Sequence, residues 1–93
     1  MKQIHRNTEK NQTLIREMGI SFEDTLFSMQ SGHLLDDVCH PNSGKYPNQR
    51  LFVVSVDDYV YLVPYIETVD EIFLKTIIHS RKATKQYLRG RYE

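Results

Sequence analysis

The sequence predicts an α+β fold. The expected order is β-α-α-β-β-β-β-α, with an antiparallel sheet, two N-terminal helices on one face and a C-terminal helix. Three observations carry that expectation. Apolar residues recur at helical spacing near the start, where Leu14, Ile15 and Met18 are followed by Gly19. From Arg50 to Ile66 the chain is β-branched and aromatic, divided by Asp57-Asp58. Helical spacing returns after Ser80, through Ala83, Thr84, Tyr87 and Leu88.

Each element has its own reason. Lys2–His5 reads as a short first strand, and Thr8–Met18 as a helix that Gly19 stops. Ser21 is placed to cap a second helix over Phe22–Ser31, with Asp24 as its capping-box partner and Gly32 closing it. His33–Val38 is a candidate strand. Cys39–Gln49, with Pro41, Gly44 and Pro47, reads as a loop. Asp57-Asp58 then makes a two-residue hairpin between Arg50–Val56 and Tyr59–Ile66. Glu71–His79 is the next strand, and Arg81–Arg89 a last helix capped by Ser80, with Gly90 after it.

Ninety-three residues suffice for one domain spanning 1–93, with a single modest core. One cysteine excludes an internal disulfide framework and favours a reducing setting. No apolar run approaches the ~18 residues of a membrane span. MKQIHRNTEK lacks a signal peptide's apolar stretch, so a cytoplasmic location without membrane contact is expected. The zero net charge is a cancellation of unlike blocks. Residues 1–16 sum to +3, residues 17–71 to −8 and residues 75–93 to +5. Both ends suit an anionic partner.

The densest basic cluster lies in FLKTIIHSRKATKQY, where Arg81 and Lys82 open a helix. Cations there face the positive end of the macrodipole, typically at a few tenths of a kcal/mol each. A phosphate partner would offset that cost. A two-residue hairpin pairs Arg50 with Tyr65, Phe52 with Val63, Val54 with Tyr61 and Val56 with Tyr59. One sheet face then carries Arg50, Tyr59, Tyr61 and Tyr65, while Leu51, Val53, Ser55, Val60, Leu62 and Ile66 form the more apolar face expected to receive the helices. In the last strand Ile72, Leu74, Thr76 and Ile78 alternate with Glu71, Phe73, Lys75, Ile77 and His79, the first set directed to the core. The expected result is a half-open groove of Arg50, Tyr61, Tyr65, Lys75 and His79, bordered by Arg81 and Lys82, with Lys85 following in the helical stripe Arg81, Lys85, Arg89. Cations for phosphates and rings for unstacked bases are what single-stranded nucleic acid requires.

Other chemistries fit less well. His33, Asp36, Asp37, Cys39 and His40 match no tetrahedral metal spacing, and neighbours on a strand point to opposite faces. Cys39 and His40 meet the same objection as a nucleophile–base pair. No glycine loop for phosphates is present. No metal or cofactor is therefore expected. RNA cleavage needs neither: the 2′-hydroxyl is the nucleophile, and Lys, Arg, His and Tyr suffice to move the protons and stabilise the phosphorane.

Arg6-Asn7-x-x-Lys10, Gly19-Ile20-Ser21-Phe22-Glu23, the Val53-Val54 pair and Ile77-Ile78-His79-Ser80-Arg81-Lys82-Ala83 together resemble the BrnT family over nearly the whole chain. These are toxins of type II toxin–antitoxin pairs. The family pattern has an aromatic–acid pair where Arg6-Asn7 stands here, and a histidine where Met18 stands. The resemblance implies a RelE-like fold and a ribonuclease that halts translation. It also implies a hetero-oligomer with a BrnA-like ribbon-helix-helix antitoxin, through which alone DNA would be contacted. Carried over by position, Lys10, Arg50, Arg81 and Lys82 are the cationic site residues. His79 stands where the family has a small or apolar residue and would supply a proton donor by another route, so it joins the expected catalytic set. The open-face reading, and not the resemblance, gives Tyr61, Tyr65, Lys75 and Lys85 as RNA contacts. The expected function is a metal-independent endoribonuclease toxin. The alternative is a non-catalytic module on the same scaffold that binds an antitoxin or repressor.

Overall fold

A computed structural model describes residues 2–42 and 44–88. The elements run β1 (Gln3–Arg6), α1 (Thr8–Met18), α2 (Phe22–Ser28), a π-helical turn (Met29–His33), β2 (Leu34–Cys39), β3 (Gln49–Val56), β4 (Tyr59–Glu67), β5 (Glu71–Leu74), β6 (Ile78–His79) and α3 (Arg81–Leu88). The sheet is ordered β1-β5-β4-β3-β2, and β6 pairs with β4 beyond the end of β5.

Local sequence explains the helix ends. Asn7 caps α1 by accepting from the Lys10 amide at 2.9 Å, and Gly19 ends the helix at φ 70°. Ser21 and Asp24 form a reciprocal capping box, Asp24 N–H donating to Ser21 Oγ at 3.0 Å and Ser21 N–H to Asp24 Oδ2 at 2.9 Å. Gly32, at φ 91°, turns the chain into β2. Ser80 caps α3, its Oγ accepting from the Ala83 amide at 3.1 Å. The residues from Arg89 onward, including the expected end of that helix and Gly90, lie outside the described residues.

The hairpin register is the expected one: Arg50 pairs with Tyr65, Phe52 with Val63, Val54 with Tyr61 and Val56 with Tyr59. Asp57 and Asp58 both adopt positive φ, as a two-residue turn of this hand requires. The sheet itself is mixed, not antiparallel, because β1 runs parallel to β5 and pairs Ile4 with Ile72 and Arg6 with Leu74. A chain leaving β1 can cross to a parallel neighbour because two helices and three strands separate them in sequence.

The helices do not share one face. The face expected to stand open, carrying Phe52, Val54, Tyr61, Val63 and Tyr65, is the one α1 and α2 cover, through Leu14, Ile20, Phe22, Leu26 and Met29. The opposite face, with Val53 and Val60, receives Ala83, Tyr87 and Leu88 of α3. Each fully buried aliphatic or aromatic side chain in these two layers contributes about 1.5–3 kcal/mol. Among the described residues, both faces over the middle of β3 and β4 are covered.

The expected strand over Glu71–His79 is broken in two, and Pro64 explains the break. In an antiparallel strand a residue's N–H and C=O point to the same neighbour. Pro64 C=O accepts from Lys75 N–H at 2.8 Å, so its missing N–H faces the β5–β6 side, and the ladder lapses there. The interruption shifts the alternation: Ile77 turns into the core at 3% exposure, while Ile78, expected inside, is 41% exposed.

Candidate functional site

The expected site residues fall into three groups, not one groove. The first lies at the β2–β3–β4 end. Tyr65 is buried and stacked on Phe52 at 3.9 Å between ring centres. Its hydroxyl donates to Asp37 Oδ1 at 2.6 Å. Arg50 donates from Nε to Asp37 Oδ1 and to Tyr65 Oη, both at 3.3 Å, and from Nη2 to the Asp37 carbonyl at 3.0 Å. Burial first, and then the bond to Asp37, push the Tyr65 phenol up to about 12. Tyr65 is thus a buried structural hydroxyl and is unavailable for stacking a base. Arg50 is neutralised by Asp37, which sequence reasoning had weighed only as a metal ligand. A nine-residue connection and a bulge between Leu34 and Asp36 separate β2 from its register on β3, so nothing local in the sequence signals the pairing.

The second group is a shallow groove where β5 ends and α1 begins. Lys10 and Lys75 line it together with Asn7, Glu9, Thr13 and Phe73. Lys75 Nζ sits 5.5 Å from the Phe73 ring centre. Two of the expected cations do converge here, beside an exposed ring. Neighbouring residues that depart from the family pattern have structural partners: Arg6 is ion-paired with Glu23, and Asn7 is the α1 cap. Glu23 is held below the ordinary carboxylate range, chiefly by the Asn11 amide and, more weakly, by Arg6.

The third group is at β6. His79 pairs with Tyr61 across the ladder and is exposed. Its ring stacks on Tyr59 at 4.1 Å and 7°, and lies 5.6 Å from Tyr61. Tyr59 is the residue that sequence reasoning placed on this face without assigning it to the site. Its hydroxyl is buried without a hydrogen-bond partner among the described residues. The Tyr61 phenol is raised above its ordinary value, first by burial, then by Tyr59 and Asp57. Two residues past His79, Arg81 and Lys82 stand exposed at the start of α3, with exposed Lys85 one turn on. Among the described residues, no ion pair engages Arg81, Lys82 or Lys85.

Tyr65 lies four positions along β4 from Tyr61, roughly 13 Å of strand. Arg50 therefore does not share a site with His79. The histidines, acids and cysteine between His33 and His40 do not converge either: among the described residues, no three such side chains gather where a metal ion could sit. No described helix is long and apolar enough to cross a membrane. No family model matches the chain, and no curated protein matches it significantly.

Proposed function

We propose that the chain is a toxin-like, metal-independent endoribonuclease of the BrnT and RelE-like kind, working at the β6–α3 edge. The observation that supports it is His79, exposed and stacked on Tyr59, with exposed Arg81 and Lys82 two and three residues beyond it. An imidazole can take the 2′-hydroxyl proton or return one to the departing 5′-oxygen. Attack of that 2′-oxygen on phosphorus breaks the P–O5′ bond and leaves a 2′,3′-cyclic phosphate. Arg81 and Lys82 would hold the phosphate through the charge build-up of that step. Tyr61 stays protonated at neutral pH, so it would act as a hydrogen-bond donor and not as a base. Lys10 and Lys75 offer a second phosphate contact in their groove, and Phe73 a ring beside it.

The test is cleavage of RNA by purified protein in excess EDTA. Cyclic phosphate ends are expected, with activity reduced about 10²–10⁴-fold in His79→Ala, the share a general acid–base group supplies. Activity destroyed by chelator and restored by Mg²⁺ or Zn²⁺ would overturn the mechanism.

A second reading has its own support: the locking of Arg50 by Asp37 and Tyr65 removes one expected catalytic cation. On that reading the scaffold is a non-catalytic module that binds an antitoxin or repressor. Induced expression separates the two. Growth arrest by the wild-type chain, absent in Arg81→Ala/Lys82→Ala, supports the toxin; unaffected growth supports the module. For either reading the partner we propose is a ribbon-helix-helix antitoxin covering Arg81, Lys82 and Lys85.

A further inference from the structure

A groove of about 570 Å³ lies beside the Tyr61 ring on the sheet face that α2 covers, a volume within the range of small-molecule sites. Phe27 lines it and is 71% exposed, an unusual setting for so large a ring. Ser28 is only 8% exposed, yet its hydroxyl makes no hydrogen bond among the described residues. It is not sealed from solvent, as the Tyr59 hydroxyl is, and so opens into the groove. Three carboxylates line the same space. Asp24 is committed to the α2 cap and Asp58 has an interaction of its own, which leaves Asp57. Among the described residues no hydrogen bond or ion pair engages the Asp57 carboxylate, and it is close enough to raise the Tyr61 phenol.

The groove and the His79 ring are on the same side of the sheet. Tyr61 and His79 oppose each other across an antiparallel ladder, so their side chains point to one face. The imidazole lies 5.6 Å from the Tyr61 ring, which lines the groove. A matching occupant offers a flat ring to Phe27 and Tyr61, adjacent donors to a carboxylate and an acceptor to a serine hydroxyl. Guanine presents all of these: N1–H and N2–H are adjacent donors on its Watson–Crick edge, and O6 beside them is an acceptor. None of the other three RNA bases carries two adjacent donor groups there. Single-stranded RNA leaves that edge free. The phosphates stay outside, because residues 17–71 sum to −8 and no described lysine or arginine lines the groove.

We propose that this groove is a recognition site for a guanine base of single-stranded RNA. Asp57 accepts from N1–H and N2–H, the Ser28 hydroxyl donates to O6, and Phe27 stacks on the ring. A base seated past Tyr61 directs its own phosphate back towards His79. The site rests on the ribonuclease reading for that phosphate and narrows the substrate: cleavage falls beside guanine. Binding of the base itself needs no cleavage.

Titration calorimetry of the purified chain with the four nucleoside 3′-monophosphates provides the test. Guanosine 3′-monophosphate should bind about tenfold or more tightly than the other three, the discrimination a bidentate base contact supplies. Asp57→Asn keeps the turn, since asparagine also tolerates positive φ, and should abolish that preference. Phe27→Ser, at an exposed site, should weaken binding of all four by about tenfold through the lost stacking. The wild-type chain should cut single-stranded RNA chiefly beside guanine, and Asp57→Asn should spread the cuts over the other bases. Equal affinities for the four nucleotides overturn the proposal, and so does a guanine preference that survives Asp57→Asn. Preferential binding of guanosine 3′-monophosphate by a chain that cuts no RNA would overturn the ribonuclease reading alone. Cleavage without base preference would overturn the guanine site alone.

Discussion

Tyr65 shows how far one side chain's surroundings can change its chemistry. As an exposed strand tyrosine it would offer a ring to a base; buried against Phe52 and bonded to Asp37, it holds β2 to β4 through its hydroxyl. Its folded phenol sits about 12 against an ordinary value of 10. The neutral form is thus favoured by folding. That stabilisation is fully present below pH 10 and is lost as pH rises from 10 towards 12, because the unfolded chain gives up the proton first. Tyr65→Phe should accordingly cost about 1 kcal/mol at neutral pH through the lost hydrogen bond. It should also flatten the fall in stability between about pH 10 and pH 12. Urea midpoints at both pH values measure this. An unchanged slope would mean that another group governs alkaline unfolding.

The elements are held largely by short-range signals. In α2, a helix of only seven residues, both capping-box bonds are in place, and Glu23 and Asp24 lie in its first turn. So short a helix is marginal without its cap. Ser21→Ala should destabilise the protein by about 1 kcal/mol, whereas Thr8→Ala, at the exposed start of α1, should change stability by less than about 0.5 kcal/mol. Thermal melts of the two variants decide it; equal effects would show that packing of Phe22, and not the cap, holds α2. The β5–β6 break belongs to this scale too. One missing N–H at Pro64 resets the alternation of a neighbouring strand, and it carries His79 to an exposed position beside Tyr59.

For the whole molecule, the sheet is a shared wall between two apolar layers. Leu74 is fully buried in the layer under α1 and α2, and Leu88 is 2% exposed in the layer under α3. Leu74→Ala should cost about 2–5 kcal/mol, a large part of the stability of a domain this size. Leu88→Ala should also fall in that range, since β3 and β4 are common to both layers. Denaturant curves should show one transition in each case. Two transitions in Leu88→Ala would mean that α3 detaches alone, and with it the Arg81–Lys82 edge.

Helix caps, the hairpin turn and the strand pairing across it were legible in the sequence, because each depends on residues within a few positions of one another. Thr8–Met18 with Gly19, the Ser21–Asp24 box, the positive-φ turn at Asp57-Asp58 and the Arg50–Tyr65 register all follow from local geometry. The inner face of α3, with Ala83 and Leu88, follows from helical period. Only the tertiary structure decided which sheet face each helix covers. Both faces of β3 and β4 are apolar enough to be buried, and alternation within a strand cannot say what lies over it. For the same reason the expected groove divided into three. Arg50 went to Asp37 across a nine-residue connection, Lys10 and Lys75 met where β1 runs parallel to β5, and His79 was left at an edge with Arg81 and Lys82. Those are contacts between residues distant in sequence, and loop closure and packing select them after the local elements are already determined.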